Sequence, residues 1–323
     1  MKIQIEEDNV GKRIDVFVLE QVRDSYPSLT RNIVQDHFND GCKVNDSVCK
    51  KSYKLKEGDE VSLDVKYWEN IGKDTDLSED VVAQSGDLDI RYEDDNLLVI
   101  FKPKGISVHP GVGHRDGTLA NYIRGYLEKN NQYDSLVDRA GIVHRLDKGV
   151  SGFLVVAKNK ITQEYLKKEF QSRNVVKIYN AEVERVSESR LSMFKENEHG
   201  INFKKYTSEL NISFEPWKDW FNMRGYIGRS RKNRYKMEFR LHEFAGSKFA
   251  ESYILMSGNQ VLIKIETGRM HQIRASLEYL GLRIVGDTLY GTNKSMLNSE
   301  GIMLEAILLS FRNINGERLT FGI

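Results

Sequence analysis

The tightest constraint in this sequence is a short apolar run, FLVVA at Phe153–Ala157, entered through the segment GIVHRLDKGVSG. Five consecutive apolar residues, bounded by glycine and polar residues, are too few for an ordinary helix and suit a buried strand. Just upstream stand His144, Arg145, Asp147 and Lys148, four polar side chains within five residues. A lone aspartate in such a turn is ordinarily a cap or a solvated residue. Set among cations at the entrance to a core strand, it asks for a chemical reason.

The rest of the chain narrows that reason. At about 150 residues per domain, 323 residues suggest two domains. A composition 40% hydrophobic and 29% charged can bury a real core. The N-terminus, MKIQIEEDNVGKR, carries acids where a secretory signal needs a basic and then an apolar region. No apolar run approaches the roughly 20 residues of a membrane helix. The expectation is a cytoplasmic protein without a membrane partner. Cys42 and Cys49 lack CxxC spacing and read as small core residues. The seven histidines form no HxxxH pair and join no cysteine cluster, so no metal is expected.

The net charge of +1 conceals an asymmetry. Residues 1–66 carry −2, residues 67–90 carry −6 and residues 91–323 carry +9. A basic body behind an acidic connector fits a polyanionic partner.

Residues 1–66 read as a small module. GKRIDVFVLEQV places Ile14, Phe17, Val18 and Val22 on one helical face. TRNIVQDHFNDG follows with Thr30 as N-cap, Gly41 as stop, and Ile33, Val34 and Phe38 as its apolar face. CKVNDSVCKK suggests a hairpin turning at Asn45-Asp46, and YKLKEGDEVSLDV alternates around Glu57-Gly58-Asp59. Two helices, a VND turn and a basic strand into EGDEV resemble the S4-type RNA-binding module. Residues 43–56 hold Lys43, Lys50, Lys51, Lys54 and Lys56 against Asp46 alone, and phosphate contacts come from such local patches. Residues 67–88 are polar and acidic without a clean period and read as a linker.

From residue 89 the pattern changes. DIRYEDDNLLVIFKP predicts two strands around an acidic turn, the second ending at Pro103. GTLANYIRGYLEK predicts a helix capped by Thr118, with Leu119, Tyr122, Ile123, Tyr126 and Leu127 on one face. TQEYLKKEFQ is a second helix, with Tyr165, Leu166 and Phe170 inward. KIYNAEVE alternates as a strand, placing Lys177, Tyr179, Ala181 and Val183 on one face. VLIKIE is another strand, and MHQIRASLEYLG a helix closed by Gly281. Strands dominate without strict βαβ alternation, which predicts an α+β fold around a mixed, mainly antiparallel sheet. The catalytic candidate spans 89–323, with an unassigned insertion at about 187–223.

Several reaction classes lose their sequence support. GVSG falls short of the G-x-S-x-G nucleophile elbow. Neither a G-x4-GK[ST] P-loop nor a G-x-G-x-x-G dinucleotide fingerprint is present. What remains is a set of polar, glycine-punctuated segments at strand ends: FKPKGISVHPG, GIVHRLDKGVSG, KIYNAEV, ETGRMHQIR and IVGDTLYG. Together these resemble the RluA-type family of RNA pseudouridine synthases over nearly all of 89–312. HRLD followed by SG and an apolar strand is highly specific, and GRxHQIR is independent support. VHPGVGHRDGTL with RAGIVHRLDK looks closest to the RluD-like branch, which acts on large-subunit ribosomal RNA.

The resemblance implies a mechanism without redox cofactor or metal. The enzyme breaks a C–N glycosidic bond, turns the uracil and makes a C–C bond. Asp147 matches the family's aspartate nucleophile, attacking ribose C1′ or uracil C6, or helping to abstract a ribose proton. Arg274 matches the arginine that pairs with it, and Tyr179 the tyrosine that stacks on the base and serves as a later general base. Arg145 matches the residue that fills the space left by the flipped-out nucleotide, while His144 is taken as structural. Lys177, Arg269, Arg234, Lys236 and Lys248 are placed for RNA contact, the last three within basic or glycine-marked stretches at 224–240 and 246–253. Lys43, Lys50 and Lys51 would add the module's grip. Where the family has polar residues, this chain has Gly149-Val150, and where it has LHA, this chain has Leu304-Glu305-Ala306. The expectation is a monomeric pseudouridine synthase acting on ribosomal RNA. The competing readings are a tRNA enzyme, a non-catalytic RNA-binding or ribosome-assembly protein on the same fold, and a two-carboxylate hydrolase, for which no motif supplies a second acid.

Overall fold

The computed structural model describes residues 1–26, 29–79, 81–111, 116–186, 220–233, 235–291 and 301–323. The chain divides into two compact units, Met1–Asp80 and Val81–Ile323.

The first unit runs β1 (Lys2–Gln4), α1 (Ile14–Arg23), α2 (Arg31–Asp36), α3 (Phe38–Gly41), β2 (Cys42–Val44), β3 (Glu60–Leu63) and α4 (Val65–Glu79). Its sheet is antiparallel, in the order β1-β3-β2. The predicted face of α1 is buried at Ile14, Phe17, Val18 and Val22, and packs with Val34, Phe38 and Val61. Asn45 and Asp46 make the expected turn, with left-handed φ of 49° and 60°. The returning segment does not form a hairpin ladder, however. It bridges only at Val44–Ser47, and β2 pairs with β3 instead. The reason is burial: Val61 and Leu63 offer β2 an apolar partner, whereas Ser47, Val48, Lys50 and Lys51 are exposed.

The segment expected to be a linker is also ordered differently. Residues 67–79 belong to α4, because Trp68 is fully buried and Tyr67 and Ile71 pack beside it. The Trp68 indole donates to Gly41 O at 2.9 Å. A side chain at Gly41 would meet that ring at 2.6 Å. One tryptophan in the right place outweighs a polar composition. Residues 81–88 are tied to the second unit: Asn121 Nδ2 donates to Val82 O at 2.8 Å, and Gln84 N to Asn121 O at 3.0 Å.

The second unit contains β4 (Asp89–Glu93), β5 (Leu97–Lys102), α5 (Leu119–Lys129), β6 (Ser151–Ala157), α6 (Lys160–Gln171), β7 (Val176–Arg185), β8 (Phe221–Arg229), β9 (Met237–Arg240), β10 (Lys248–Ser257), β11 (Gln260–Ile265), α7 (Gln272–Tyr279), β12 (Leu282–Ile284), β13 (Leu304–Arg312) and β14 (Arg318–Gly322). They form an 11-stranded sheet in the order β4-β5-β6-β13-β7-β11-β10-β8-β9, with β12 on β7 and β14 on β13. Only β6 and β13 run parallel among the described pairs, so the mainly antiparallel α+β expectation holds. Most of the suggested insertion, 187–219, lies outside the described residues; from Phe221 the chain is already β8.

β6 is buried at all seven positions. Leu154 and Val156 enter the core that contains Ile123 of α5, while Phe153, Val155 and Ala157 enter the one that contains Leu166 of α6. Thr118 caps α5 through a capping box with Asn121. A strand covered on both faces is a rigid mount for the polar loop that precedes it. Among the described residues no helix is long and apolar enough to cross a membrane.

Candidate active site

The Asp147 loop is clamped from below. Lys102 is fully buried, and its Nζ donates to Pro103 O at 2.8 Å, Ile106 O at 2.9 Å and Lys148 O at 3.3 Å. Gly105 N also donates to Lys148 O, at 2.9 Å, and Val150 N to Asp147 O at 3.0 Å. Burial pushes the Lys102 ammonium down to about 8, against the pull of Asp147. The loop then enters β6 through Ser151 and Gly152, which pair in parallel with Glu305 and Ala306. Gly152 has φ 134°, and a Cβ there would lie 2.4 Å from Ala306 O, so only glycine fits. Glu305 accepts a hydrogen bond from Ser151 Oγ at 2.7 Å and so fastens the loop's far end.

Asp147 and Arg274 meet as expected, across 127 residues of sequence: Arg274 Nη1 lies 3.3 Å from Asp147 Oδ2. The rest of the guanidinium is taken by an acid that sequence reasoning did not assign. Arg274 Nε and Nη2 both reach Asp287 at 2.7 Å. Asp287 is buried and accepts from Leu289 N at 2.9 Å and Tyr290 N at 3.0 Å. Burial would raise its carboxyl pKa, but Arg274 and the two backbone amides hold it below the usual range. A two-pronged ion pair of this kind fixes the guanidinium plane. The free Nη1 is thereby aimed at Asp147. The signal was in IVGDTLYG, but which cation the acid would meet was not. His271 was missed as well. It sits at left-handed φ 52° before α7, with Nε2 3.9 Å from Asp147 Oδ2. Burial first, then the Arg274 charge, lower its pKa, so the imidazole is neutral near pH 7.

Tyr179 stands on β7, 7% exposed. With Asp147, Val150, Ile265, Leu304 and Arg274 it lines a cavity of about 180 Å³. A second cavity, about 450 Å³, shares Arg145, Leu146, Asp147, His271 and Arg274 with the first. Burial, then the charge of Asp147, raises the Tyr179 pKa. Its phenol therefore stays protonated: it can stack or donate, but cannot take up a proton in this state.

The expected RNA-contact residues divide. Arg145 is exposed and lines both cavities. Arg269 lines the smaller one, with its Nε donating to Phe249 O at 2.8 Å and its backbone N to Gln272 Oε1 at 3.0 Å. Lys236 is engaged internally, 2.7 Å from Glu278 and over the Tyr290 ring that also carries Arg274. Lys177 lines neither cavity; its Nζ lies over Phe170, and burial pushes it down to about 8. Lys248 is exposed at the start of β10, and Lys43, Lys50 and Lys51 are exposed on the first unit. Arg234 lies outside the described residues. His144 is structural as expected: its Nε2 accepts from Val155 N at 3.1 Å and its ring stacks on Phe170 at 4.7 Å.

A carboxylate oriented by a pinned guanidinium, beside a partly apolar slot with a tyrosine wall, can act on a flat ring held against that tyrosine, a chemistry open to more than one class of enzyme. Known proteins say which. The sequence model of the family described as RNA pseudouridylate synthase matches residues 96–279, more than half of the chain. The chain belongs to that family. An uncharacterised RNA pseudouridine synthase of Bacillus subtilis is 33% identical over 96% of this chain and 88% of its own length. The ribosomal large subunit pseudouridine synthase D of Salmonella typhimurium is 30% identical, over 89% of this chain and 75% of its own. The solved structure of human RNA pseudouridylate synthase domain containing 1 shares the fold, with a TM-score of 0.52 at 21% identity over 74% of this chain and 85% of that one. Among the described residues no group of three His, Cys, Asp or Glu side chains could hold a metal ion.

Proposed function

We propose that this enzyme isomerises specific uridines of large-subunit ribosomal RNA, with Asp147 as its nucleophile. The observation that carries the reading is the chain Asp287–Arg274–Asp147, which ends in a half-buried carboxylate where the two cavities join. Arg274 holds Asp147 aimed at the slot. The target uridine leaves its stack, Arg145 takes the vacated space, and the uracil enters the slot against Tyr179. Asp147 attacks ribose C1′ or uracil C6, or abstracts a ribose proton. The C–N bond breaks, the uracil turns, C5 bonds to C1′, and the C5 proton is released. Substrate and product are isomers, so the chemistry consumes no oxidant or reductant. The relatives named for the large ribosomal subunit support the choice of RNA, and the exposed Lys43, Lys50 and Lys51 support an S4-like role for the first unit.

The test is a pseudouridine map of total RNA from cells lacking the protein, rescued by wild type or by Asp147→Asn. We expect one or a few large-subunit sites to disappear and to return only with wild type. Rescue by the Asn variant would remove Asp147 as nucleophile. Loss at tRNA positions would move the substrate, and no loss at any site would leave a binding protein.

A further inference from the structure

Isomerisation of uridine leaves one proton without an acceptor. The substrate carries hydrogen on C5 and the product carries it on N1, so a base beside the reacting carbons must take the C5 proton. Among the described residues, Arg145, Leu146, Asp147, His271 and Arg274 line both cavities. Leucine has no acceptor, and a guanidinium keeps its protons at any ordinary pH. Asp147 is occupied by the ribose or the uracil. His271 remains.

Other acceptors on the walls are less suited. Gln272 Oε1 already accepts from Thr267 Oγ1 at 2.7 Å and from Arg269 N at 3.0 Å. His109 lines the larger cavity alone. Tyr179 lines the smaller one alone, and a phenol, with an ordinary pKa near 10, keeps its proton at neutral pH.

The hydrogen bonds around His271 fix which ring nitrogen carries the proton. Tyr290 OH accepts from Met237 N at 2.7 Å and donates its single hydrogen to Met237 O at 3.0 Å. What it has left for His271 Nδ1, 3.3 Å away, is a lone pair. Nδ1 is therefore the donor, and the free lone pair of the neutral ring lies on Nε2. Nε2 is the nitrogen that faces Asp147, 3.9 Å from Oδ2. The ring meets Tyr290 edge-on, with 5.7 Å between centroids. The backbone of His271 is held at left-handed φ 52°, and its carbonyl accepts from Ala275 N at 2.9 Å. Local strain of this kind persists where the surroundings over-determine it, and it gathers at working sites. Burial, then Arg274 and more weakly Arg229, favour the neutral ring, while Asp147 and Asp287 favour the cation. A ring that rests neutral beside a carboxylate suits a proton held only in passing.

We propose that His271 is the general base of the isomerisation, its Nε2 taking the proton from uracil C5 once C5 has bonded to C1′. The inference rests on the reading of this site as one that isomerises uridine through Asp147. The C5–H bond breaks, its electron pair restores the C5=C6 double bond, and the proton passes to Nε2. The imidazolium gives the proton up to solvent, and N1, freed from the ribose, takes one, so protons balance. Tyr179 is left as the wall on which the uracil stacks.

The experiment follows single turnovers on transcribed large-subunit ribosomal RNA and tRNA, made with uridine carrying protium or deuterium at C5. His271→Asn keeps an N–H for Tyr290 OH and tolerates left-handed φ, but has no basic nitrogen. His271→Gly adopts the same φ and leaves room for free imidazole. Both should bind RNA like wild type and form pseudouridine about 10²-fold more slowly or worse, the scale of a lost general base. Deuterium should slow both variants further, more than it slows wild type, because C5–H cleavage then limits the rate. Added imidazole should speed His271→Gly in proportion to its neutral fraction and leave wild type unchanged. A merely structural role gives neither the isotope effect nor the rescue. His271→Asn that turns over like wild type, or variants slowed with no isotope effect and no rescue, overturns the base. So does an isotope effect that appears in Tyr179→Phe and not in the His271 variants. Wild type that forms pseudouridine in neither RNA sinks the reading of the site and the base with it, so wild-type turnover tells the two failures apart.

Discussion

The two units use positive charge in opposite ways. In the first, Lys43, Lys50, Lys51, Lys54 and Lys56 are exposed, and none has an ion-pair partner among the described residues. Around Asp147 most cations are committed. Arg274 serves two carboxylates, Lys102 three carbonyls, Lys236 a glutamate and Arg269 a carbonyl. Free cations attract any polyanion and are screened by salt. Committed cations fix geometry and contribute to the transition state, where a small displacement is costly. If the proposed function holds, the difference separates grip from chemistry, and mutations in each region should separate the same way.

The largest effect should come from Arg274→Ala. We expect turnover to fall by about 10³-fold or more, on the scale of losing a preorganised charge contact, with RNA affinity within about threefold. Arg274→Lys should fail almost as badly, because one ammonium cannot span both Asp287 and Asp147. A variant whose binding falls as far as its turnover would erase the distinction between the regions. Asp287→Asn comes next. The amide oxygen can still accept from Leu289 and Tyr290 N–H, but Arg274 loses a buried charge partner. Breaking such a pair costs about 3–5 kcal/mol of stability, and turnover should fall by about 10- to 100-fold as Nη1 loses its aim. Denaturant unfolding and single-turnover rates read the two separately; an unchanged rate would show that Asp287 does not position Arg274.

The triple change Lys43→Gln, Lys50→Gln, Lys51→Gln tests the other side. Binding at low salt should weaken about tenfold, with a shallower salt slope and an unchanged rate at saturating RNA. A lower rate under saturation would mean that the first unit reaches into the chemistry, and the separation would fail.

What the sequence made legible follows from which interactions are local. β6 was visible because five apolar residues in a row can only be buried, and α1 and α5 because their apolar positions recur with the helical period. The pairing of Arg274 with Asp147 could be expected only from resemblance, since 127 residues separate them. Asp287 stayed unassigned because nothing local says which cation a buried acid will meet. α4 was missed because a period count gives Trp68 one position, although it anchors the whole helix. Lys177 shares a strand face with Tyr179, yet Phe170 of α6 captures it, a packing event that alternation alone does not encode.

The smallest expected effect is on pH dependence, and it follows from how the catalytic unit holds its histidines. His144 is pushed down to about 3, by burial first and then by Lys177, and His109 to about 4. Unfolded, each would titrate near 6.5. Above that value neither state carries the extra proton, and the native state is not penalised. As pH falls from about 6.5 toward 4, the unfolded chain takes up protons that the folded chain refuses, so stability drops, by up to about 1.4 kcal/mol per pH unit for each histidine. Carboxylates whose pKa is lowered by folding, such as Asp287, lose their contribution only below about 4, so the interval from 6.5 to 4.5 isolates the histidines. The thermal midpoint should therefore fall by several degrees between pH 7 and pH 5, and His109→Gln should remove part of that fall. A midpoint that holds across this interval would mean that one or both imidazoles accept a proton in the folded state. The contrast between a unit that keeps buried imidazoles neutral and a first unit with freely exposed charges would then lose one of its supports.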